Sequence, residues 1–273
     1  MSIERLIAVI MTIGLVASVG GSVLGAEPGG TLAPWGEPFS TDKDKAYTCV
    51  RAAGAITIDG KLDEPAWAKA QTIENFMVPP RFDWIKFEMM KAYRAHSRTF
   101  AKLLWDDKYL YFGAELEDRD IYCVTPAGHN HPFSTDDIIE LFLKPSDELP
   151  YYWELHVVPS GGTRSYFYAR RGAGGDARWM VKNPGMEARV ALVGTLNNWE
   201  DRDSKWIVEM RIAWSAFTRT GGKPKMGDLW RFLVSRYDYS VYLEEGVELS
   251  AAAPLPIQSY HLYEYYPYMV FAE

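Results

Sequence analysis

The sequence predicts an all-β fold, an antiparallel two-sheet β-sandwich of the jelly-roll kind with one or two short helices. Three observations lead to this prediction: several short runs alternate apolar and polar residues, turn-forming residues separate these runs, and helix signals are few. Alternation with a period of two places one side of a strand in a core and the other side outside it. Two such sheets packed face to face bury both apolar sides.

The clearest predicted strand covers residues 109–117. Its apolar face carries Leu110, Phe112, Ala114 and Leu116. A tight turn at residues 106–108 precedes it. Runs at 153–157 and 206–212 alternate in the same way. We therefore expect the tryptophans in and near these strands to pack in the core, namely Trp105, Trp206, Trp214 and Trp230.

Helix signals are confined to two short stretches. Residues 64–70 follow Asp63, which we expect to cap a short helix, and residues 215–217 predict a further helical turn. The stretch 79–98 is rich in methionine and aromatic residues. It predicts either a helix or a long loop over one sheet edge.

The segments that precede the predicted domain differ from it in composition. Arg5 precedes an apolar run at 6–19 and a group of small residues, which predicts a signal peptide over residues 1–26. The alternative is an uncleaved membrane anchor, for which this run is short. Residues 27–46 contain several Gly and Pro and predict a flexible arm, and residues 47–273 predict a single domain. We expect a secreted or periplasmic protein that is free of the membrane once the signal is removed.

Charge and cysteine content limit the partners. A formal net charge of -7 disfavours nucleic acid and anionic membranes, which attract basic surfaces, so a neutral ligand is expected. Cys49 and Cys123 would meet an oxidising compartment after export. They predict either one disulfide or two buried thiols, and the sequence leaves both open.

Several blocks resemble the family-9 carbohydrate-binding modules, which are sugar-binding β-sandwiches of secreted bacterial proteins. These blocks are residues 56–67, 104–111, 137–143 and 206–214, followed by Tyr260, His261 and Phe271. The resemblance implies an exported, non-catalytic protein that binds the end of a glycan or oligosaccharide. Such a protein would support polysaccharide catabolism, either as a free binding protein or as part of a glycan-degrading assembly.

The resemblance also implies a ligand site. Family members sandwich a terminal sugar between two tryptophans, and the corresponding positions here hold Phe133 and Tyr260, with His261 beside the latter. A family glutamate matches Glu140, while Glu154 and His156 stand where the family has arginine and asparagine. A site of this composition accepts hydroxyl protons and disfavours carboxylated sugars, so a neutral oligosaccharide is the implied partner.

Each of these residues also has a purely structural interpretation. Phe133 would pack at the edge of the core, His156 would be held by a neighbouring carboxylate, and Glu140 would pair with Arg211 or Arg236. The family's structural calcium has candidate ligands at Asp106–Asp107, Glu117–Asp118, Asp136–Asp137 and Asp201–Asp203. Without a loop motif, a solvated acidic turn is the alternative at each place.

Two other functions stay open. Glu140 and Glu154 on neighbouring strands would supply the carboxylate pair of a glycoside hydrolase. Related sandwiches bind haem, and Met89 or Met90 with His129, His131 or His156 would supply axial ligands. His129 and His131 together would also suit a transition metal, with a polar loop as the alternative. No sequence motif of a serine hydrolase, a zinc protease or a phosphate-binding loop is present.

Overall fold

The computed structural model describes residues 39–83, 86–127, 135–171, 173 and 185–273. Within them the chain forms fifteen strands, one short α-helix and three 3₁₀ turns. The helix α1 is Pro65–Lys69, and the 3₁₀ turns are Lys43–Lys45, Trp214–Thr220 and Tyr263–Tyr265. The strands are β1 (Tyr47–Arg51), β2 (Met77–Val78), β3 (Arg81–Asp83), β4 (Glu88–Met90), β5 (Tyr93–Arg94), β6 (Thr99–Trp105), β7 (Tyr109–Glu117), β8 (Ile138–Lys144), β9 (Tyr152–Val157), β10 (Thr163–Tyr168), β11 (Met186–Val193), β12 (Lys205–Ala213), β13 (Leu229–Tyr239), β14 (Val247–Ala251) and β15 (Tyr268–Ala272).

The strands form the two layers of a β-sandwich. One layer has the order β6-β7-β12-β11, and the other has the order β10-β9-β8-β13, with β14 and β15 both paired to β13. These pairs are antiparallel. Strand β1 pairs in parallel with both β15 and β6 and so links the layers. The all-β sandwich is confirmed, and only its strictly antiparallel character fails, at β1.

Alternate residues of both layers meet in one core. The predicted apolar face of β7 is buried in it, together with Leu141 and Leu143 of β8 and Trp153 of β9. The four tryptophans expected in the core are there: Trp105, Trp206, Trp214 and Trp230. The alternation that predicted the strands therefore identified the inner face of each layer correctly.

Helix α1 covers the outer face of β7. Trp67 is buried beside Tyr111, and Gly113 leaves room for it, since a Cβ on Gly113 would lie 3.1 Å from the Trp67 ring. Trp67 Nε1 donates to Glu209 Oε1 over 3.0 Å, which fixes the helix to β12. The Asp63 cap prediction is wrong, because Glu64 is the N-cap residue and makes no side-chain capping bond.

The stretch 79–98 forms a hairpin rather than a helix. Strands β3 and β4 pair with each other, and β5 pairs with β2. Phe87 lies between β3 and β4 at φ 56°, a left-handed conformation that suits a turn and interrupts a helix. The helix alternative is therefore wrong, whereas the turn predicted at 215–217 is confirmed inside Trp214–Thr220. No helix in the described part of the chain has the length and apolarity to cross a membrane.

The predicted signal peptide and residues 27–38 of the predicted arm lie outside the described residues. The end of that arm packs on the core: the Phe39 ring centre lies 5.7 Å from that of Tyr47 and 6.2 Å from that of Phe232. Cys49 and Cys123 are buried free thiols. They belong to different apolar clusters, so the disulfide alternative is not realised.

Candidate functional site

The outer face of the second layer collects polar and aromatic side chains. Where Leu141 and Trp153 point to the core, their neighbours Glu140 and Glu154 point the other way, because side chains alternate along a strand. The strand register places Glu140 opposite His156 of β9 on one side and opposite Ser235 of β13 on the other. The sequence-predicted residues Glu140, Glu154 and His156 are therefore brought together.

We call these three residues the Glu–His cluster. His156 Nε2 lies 2.6 Å from Glu154 Oε1 and 3.2 Å from Glu140 Oε1, and Ser235 Oγ donates to Glu140 Oε2 over 2.6 Å. All three side chains are at most 2% exposed. The interpretation of His156 as a histidine held by a neighbouring carboxylate is confirmed. The proposed Glu140 pairs are wrong, because Arg211 pairs with Glu187 and Arg236 pairs with Asp118 and Asp238.

Burial separates the two glutamates electrostatically. Loss of water raises the pKa of Glu140 to about 7, and the Glu154 charge adds to the rise, against the opposing effect of His156. Burial also acts to raise the pKa of Glu154, but its hydrogen bond to His156 and the attraction of that ring lower it below the usual value. Negative charge therefore resides mainly on Glu154, while Glu140 takes up or loses a proton near neutral pH.

A layer of aromatic rings surrounds the Glu–His cluster. The Tyr152 and Tyr168 rings stack with centres 4.7 Å apart, and the Tyr152 hydroxyl lies 2.9 Å from His261 Nδ1. The remaining buried members of this layer are Phe142, Tyr166, Tyr260 and Tyr266. Sequence reasoning missed these tyrosines, although Tyr152, Tyr166 and Tyr168 alternate in phase with Glu154 along their strands.

Tyr260 does not have the open ring face that sugar stacking requires. It is 6% exposed, its hydroxyl donates to the Ser250 carbonyl over 3.1 Å, and its ring packs on Phe142 and Tyr237. The structure thus makes Tyr260 a packing residue, contrary to the role expected from the sequence. Alignment to the last strand locates a residue along the chain but does not show where its side chain points.

The half-buried residues at the rim of this face are His261 and Tyr263. The Tyr263 ring centre lies 5.5 Å from that of Tyr152. The guanidinium carbon of Arg171 lies 4.3 Å from the same Tyr263 ring centre. Tyr263 was not predicted from the sequence. Phe133, His129 and His131 lie outside the described residues.

A second buried charged group, which we call the Asp–Arg cluster, consists of Asp118, Asp137, Asp238 and Arg236. Arg236 Nη2 lies 2.9 Å from Asp118 Oδ2 and 3.2 Å from Asp238 Oδ2. Asp137 accepts the backbone N–H groups of Tyr122 and Tyr239. Burial, and next the charge of Asp238, raises the pKa of Asp118 to about 7 despite the opposing effect of Arg236.

Most of the predicted calcium ligands are hydrogen-bonded or ion-paired within the protein. Asp106, Asp136 and Asp203 accept backbone N–H groups, as Asp137 does. Asp107 pairs with Arg51 and Lys223, and Asp118 with Arg236. Calcium needs six to eight converging oxygens, whereas these carboxylates are occupied by protein donors. We therefore assign no calcium site to these carboxylates.

The hydrolase and haem alternatives find little support among the described residues. Glu140 and Glu154 both contact the same buried imidazole, which leaves no space between them for a glycosidic bond. Met89 is 55% exposed on β4, while His156 is fully buried between glutamates, so this pair does not face a common pocket.

Comparison with known proteins places this geometry in context. Residues 58–159 match the family model described as carbohydrate family 9 binding domain-like, which confirms the resemblance seen in the sequence. This segment contains α1, β2 to β9 and the whole Glu–His cluster. Among curated proteins no sequence match is found.

Solved structures with the same fold cover most of the chain. An inferred carbohydrate-binding protein from Bacteroides uniformis aligns with a TM-score of 0.59 and 12% identity over 83% of this chain and 98% of that one. A family-9 carbohydrate-binding module from Caldicellulosiruptor kristjanssonii, in complex with cellotriose, aligns with a TM-score of 0.51 and 16% identity over 82% and 93%. A complex of such a module from the same organism with glucose aligns with a TM-score of 0.50 and 17% identity over 82% of this chain and 95% of that one. At these identities the likeness shows the fold.

Proposed function

We propose that this chain, a β-sandwich whose residues 58–159 match the family-9 carbohydrate-binding model, binds the end of a neutral glycan at the outer face of β8, β9 and β10. It would do so without catalysis, as an exported protein that supports polysaccharide breakdown. The observation that carries the proposal is the Glu–His cluster on this face, surrounded by aromatic rings and with the half-buried residues His261 and Tyr263 at its rim.

The chemistry of this face suits a sugar. Pyranose rings present flat patches of C–H groups that pack on aromatic rings, and their hydroxyls pair with carboxylates and imidazoles. Tyr263 offers a half-buried ring, and His261 offers a polar edge beside it. The glutamates behind them provide a negatively charged floor that repels uronic acids. The two Caldicellulosiruptor complexes, which hold glucose and cellotriose on the same fold, support a neutral sugar as the ligand.

The test is titration calorimetry of the chain from residue 27 onward against glucose, cellotriose and a panel of neutral oligosaccharides. We expect binding to at least one of them, and we expect Tyr263→Ala to weaken it by about 2- to 10-fold, because stacked aromatic contacts contribute on the order of 0.5–1.5 kcal/mol. Phe133→Ala tests the second predicted aromatic in the same assay.

The matched control is Tyr265→Ala. Tyr265 belongs to the same 3₁₀ turn and is 40% exposed, so its loss removes an equal ring without touching the proposed rim. Equal losses in both variants would indicate a general effect on the turn. Absence of binding across the panel by folded wild-type protein would refute the proposal.

Export is proposed on Arg5 and the apolar run that follows it. Expression of the full chain in a bacterial host, followed by cell fractionation and N-terminal sequencing, tests it. A mature N-terminus near residue 27 in the periplasm or medium is expected, whereas an intact N-terminus in the cytoplasm would contradict export.

A further inference from the structure

The Glu–His cluster has the composition and spacing of a transition-metal site. It supplies two carboxylates and one imidazole, and the ligand atoms of all three residues lie within 4.8 Å of one another. Atoms bound about 2.1 Å from one zinc ion are separated by roughly 3 to 3.4 Å. The distance from His156 Nε2 to Glu140 Oε1, 3.2 Å, falls in that range, and the distance to Glu154 Oε1, 2.6 Å, would need to lengthen by roughly half an ångström.

One oxygen of the cluster also has no hydrogen bond of standard geometry. Glu154 is 2% exposed, its Oε1 contacts His156, and its Oε2 is buried without a partner at standard hydrogen-bond geometry. The Tyr168 hydroxyl lies near this carboxylate, and burial, the Glu154 charge and a loose hydrogen bond to that carboxylate raise the pKa of Tyr168. An unsatisfied carboxylate oxygen in an interior costs on the order of 1–3 kcal/mol, and more when it is charged. A cation bound at this point would remove that cost.

Among the residues that the structure describes, the nearby arginines are engaged elsewhere. Arg236 is committed to the Asp–Arg cluster, and Arg171 pairs with Glu264 at the surface. Arg164 lies over the Tyr166 ring, with its guanidinium carbon 4.9 Å from the ring centre. A divalent ion bound between the three side chains would supply positive charge beside the two glutamates.

From this geometry we infer that Glu140, Glu154 and His156 form a binding site for a divalent transition-metal ion of the zinc class. The ion displaces the proton shared between His156 Nε2 and Glu154, so the neutral imidazole and both carboxylates donate lone pairs to it, and the proton passes to solvent. Nitrogen and oxygen donors together favour zinc, cobalt or nickel over calcium and magnesium, which prefer oxygen alone. A water molecule would complete the coordination.

Tag-free protein should be stripped with chelator, dialysed against ZnCl₂ and then against metal-free buffer, and assayed for zinc by elemental analysis. We expect one ion per chain, an increase in melting temperature, and, when Co²⁺ is bound in place of zinc, a d–d absorption that is stronger and at longer wavelength than that of aqueous Co²⁺. Calorimetry in buffers of different ionisation enthalpy should show proton release on binding.

Two ligand variants and one control complete the test. Glu154→Gln and His156→Gln should each weaken zinc binding by about 100-fold or more. His96→Gln removes another His–carboxylate pair, that of His96 with Glu248 at 2.5 Å, and should bind zinc like the wild type. Circular dichroism verifies folding, and Glu140→Gln provides a third, nearly isosteric ligand variant.

Wild-type protein that retains no zinc, or ligand variants that retain it as the wild type does, would overturn the inference. The inference does not depend on sugar binding. Zinc uptake without binding of any sugar in the panel would support the metal site and refute the proposed function. Sugar binding without zinc uptake would support the proposed function and refute the metal site.

Discussion

The Glu–His cluster lies on β8 and β9, the Asp–Arg cluster lies on β13 and beside the ends of β7 and β8, and the two are neutralised in different ways. In the Asp–Arg cluster, the guanidinium of Arg236 lies between Asp118 and Asp238. In the Glu–His cluster, two glutamates have only a histidine, whose charge depends on a proton. Arginine is permanently charged, so the first cluster has a fixed cation among its own residues.

The difference indicates different roles. The Asp–Arg cluster ties β7 to β13, since Arg236 also donates to the Glu117 carbonyl over 2.7 Å. It also joins the two ends of the connection between β7 and β8, because Asp137 accepts the Tyr122 N–H. The Glu–His cluster connects only neighbouring strands of one layer and faces the aromatic rim. We interpret the first as structural and the second as the place where a ligand or ion acts.

The largest effect is expected from Arg236→Met. It leaves three buried carboxylates without their cation, and breaking a buried ion pair in this way costs about 3–5 kcal/mol. We expect urea unfolding at pH 7.5 to show a loss of this size, partly recovered at pH 5 as the carboxylates protonate. Arg211→Met, which breaks the partly exposed pair with Glu187, should cost about 1 kcal/mol or less. Equal losses in the two variants would remove the distinction between the clusters.

The next effect is on pH dependence. Burial, and next the charge of Asp238, raises the pKa of Asp118 to about 7, against the opposing effect of Arg236. Burial and the neighbouring carboxylates also raise the pKa of Asp137. Between this value and the unfolded value near 3.9, the folded state binds the extra proton, so the free energy of unfolding should increase as pH falls. From pH 8 to pH 5 this contribution is on the order of 2–3 kcal/mol.

The measurement is urea unfolding of wild type and Asp118→Asn at pH 8, 7, 6 and 5. The variant cannot take up this proton, so the wild type should gain stability over it as pH falls. Subtracting the two curves removes the contribution of other groups, including His261, whose pKa is lowered by burial. Parallel curves would show that Asp118 titrates at an ordinary pH.

The smallest effect is expected from Glu140→Gln. At neutral pH Glu140 is already partly protonated because burial raises its pKa to about 7. The amide oxygen of glutamine can still accept from Ser235, so the free energy of unfolding should change by about 1 kcal/mol or less. Thermal and urea unfolding measure this change. A loss as large as that of Arg236→Met would show that the Glu–His cluster is structural after all.

The inner face of the sandwich could be predicted residue by residue. Alternation along β7, β9 and β12 assigned Phe112, Trp153 and Trp206 to the core, because a period of two is a local property of a strand. The same alternation placed Glu140, Glu154 and His156 on the opposite face. It could not show that this face is covered, since the covering residues, such as Tyr260 and Tyr266, lie over a hundred positions away in the sequence.

The sequence by itself determined the fold class, the family resemblance and the three polar residues of the candidate site. Only the tertiary structure decided that Tyr260 is a packing residue, that Arg236 pairs with Asp118 rather than with Glu140, and that both cysteines are free thiols. Side-chain periodicity is set by neighbouring peptide units and is therefore readable along the chain. Partner choice and burial depend on register between distant strands, which local patterns do not encode.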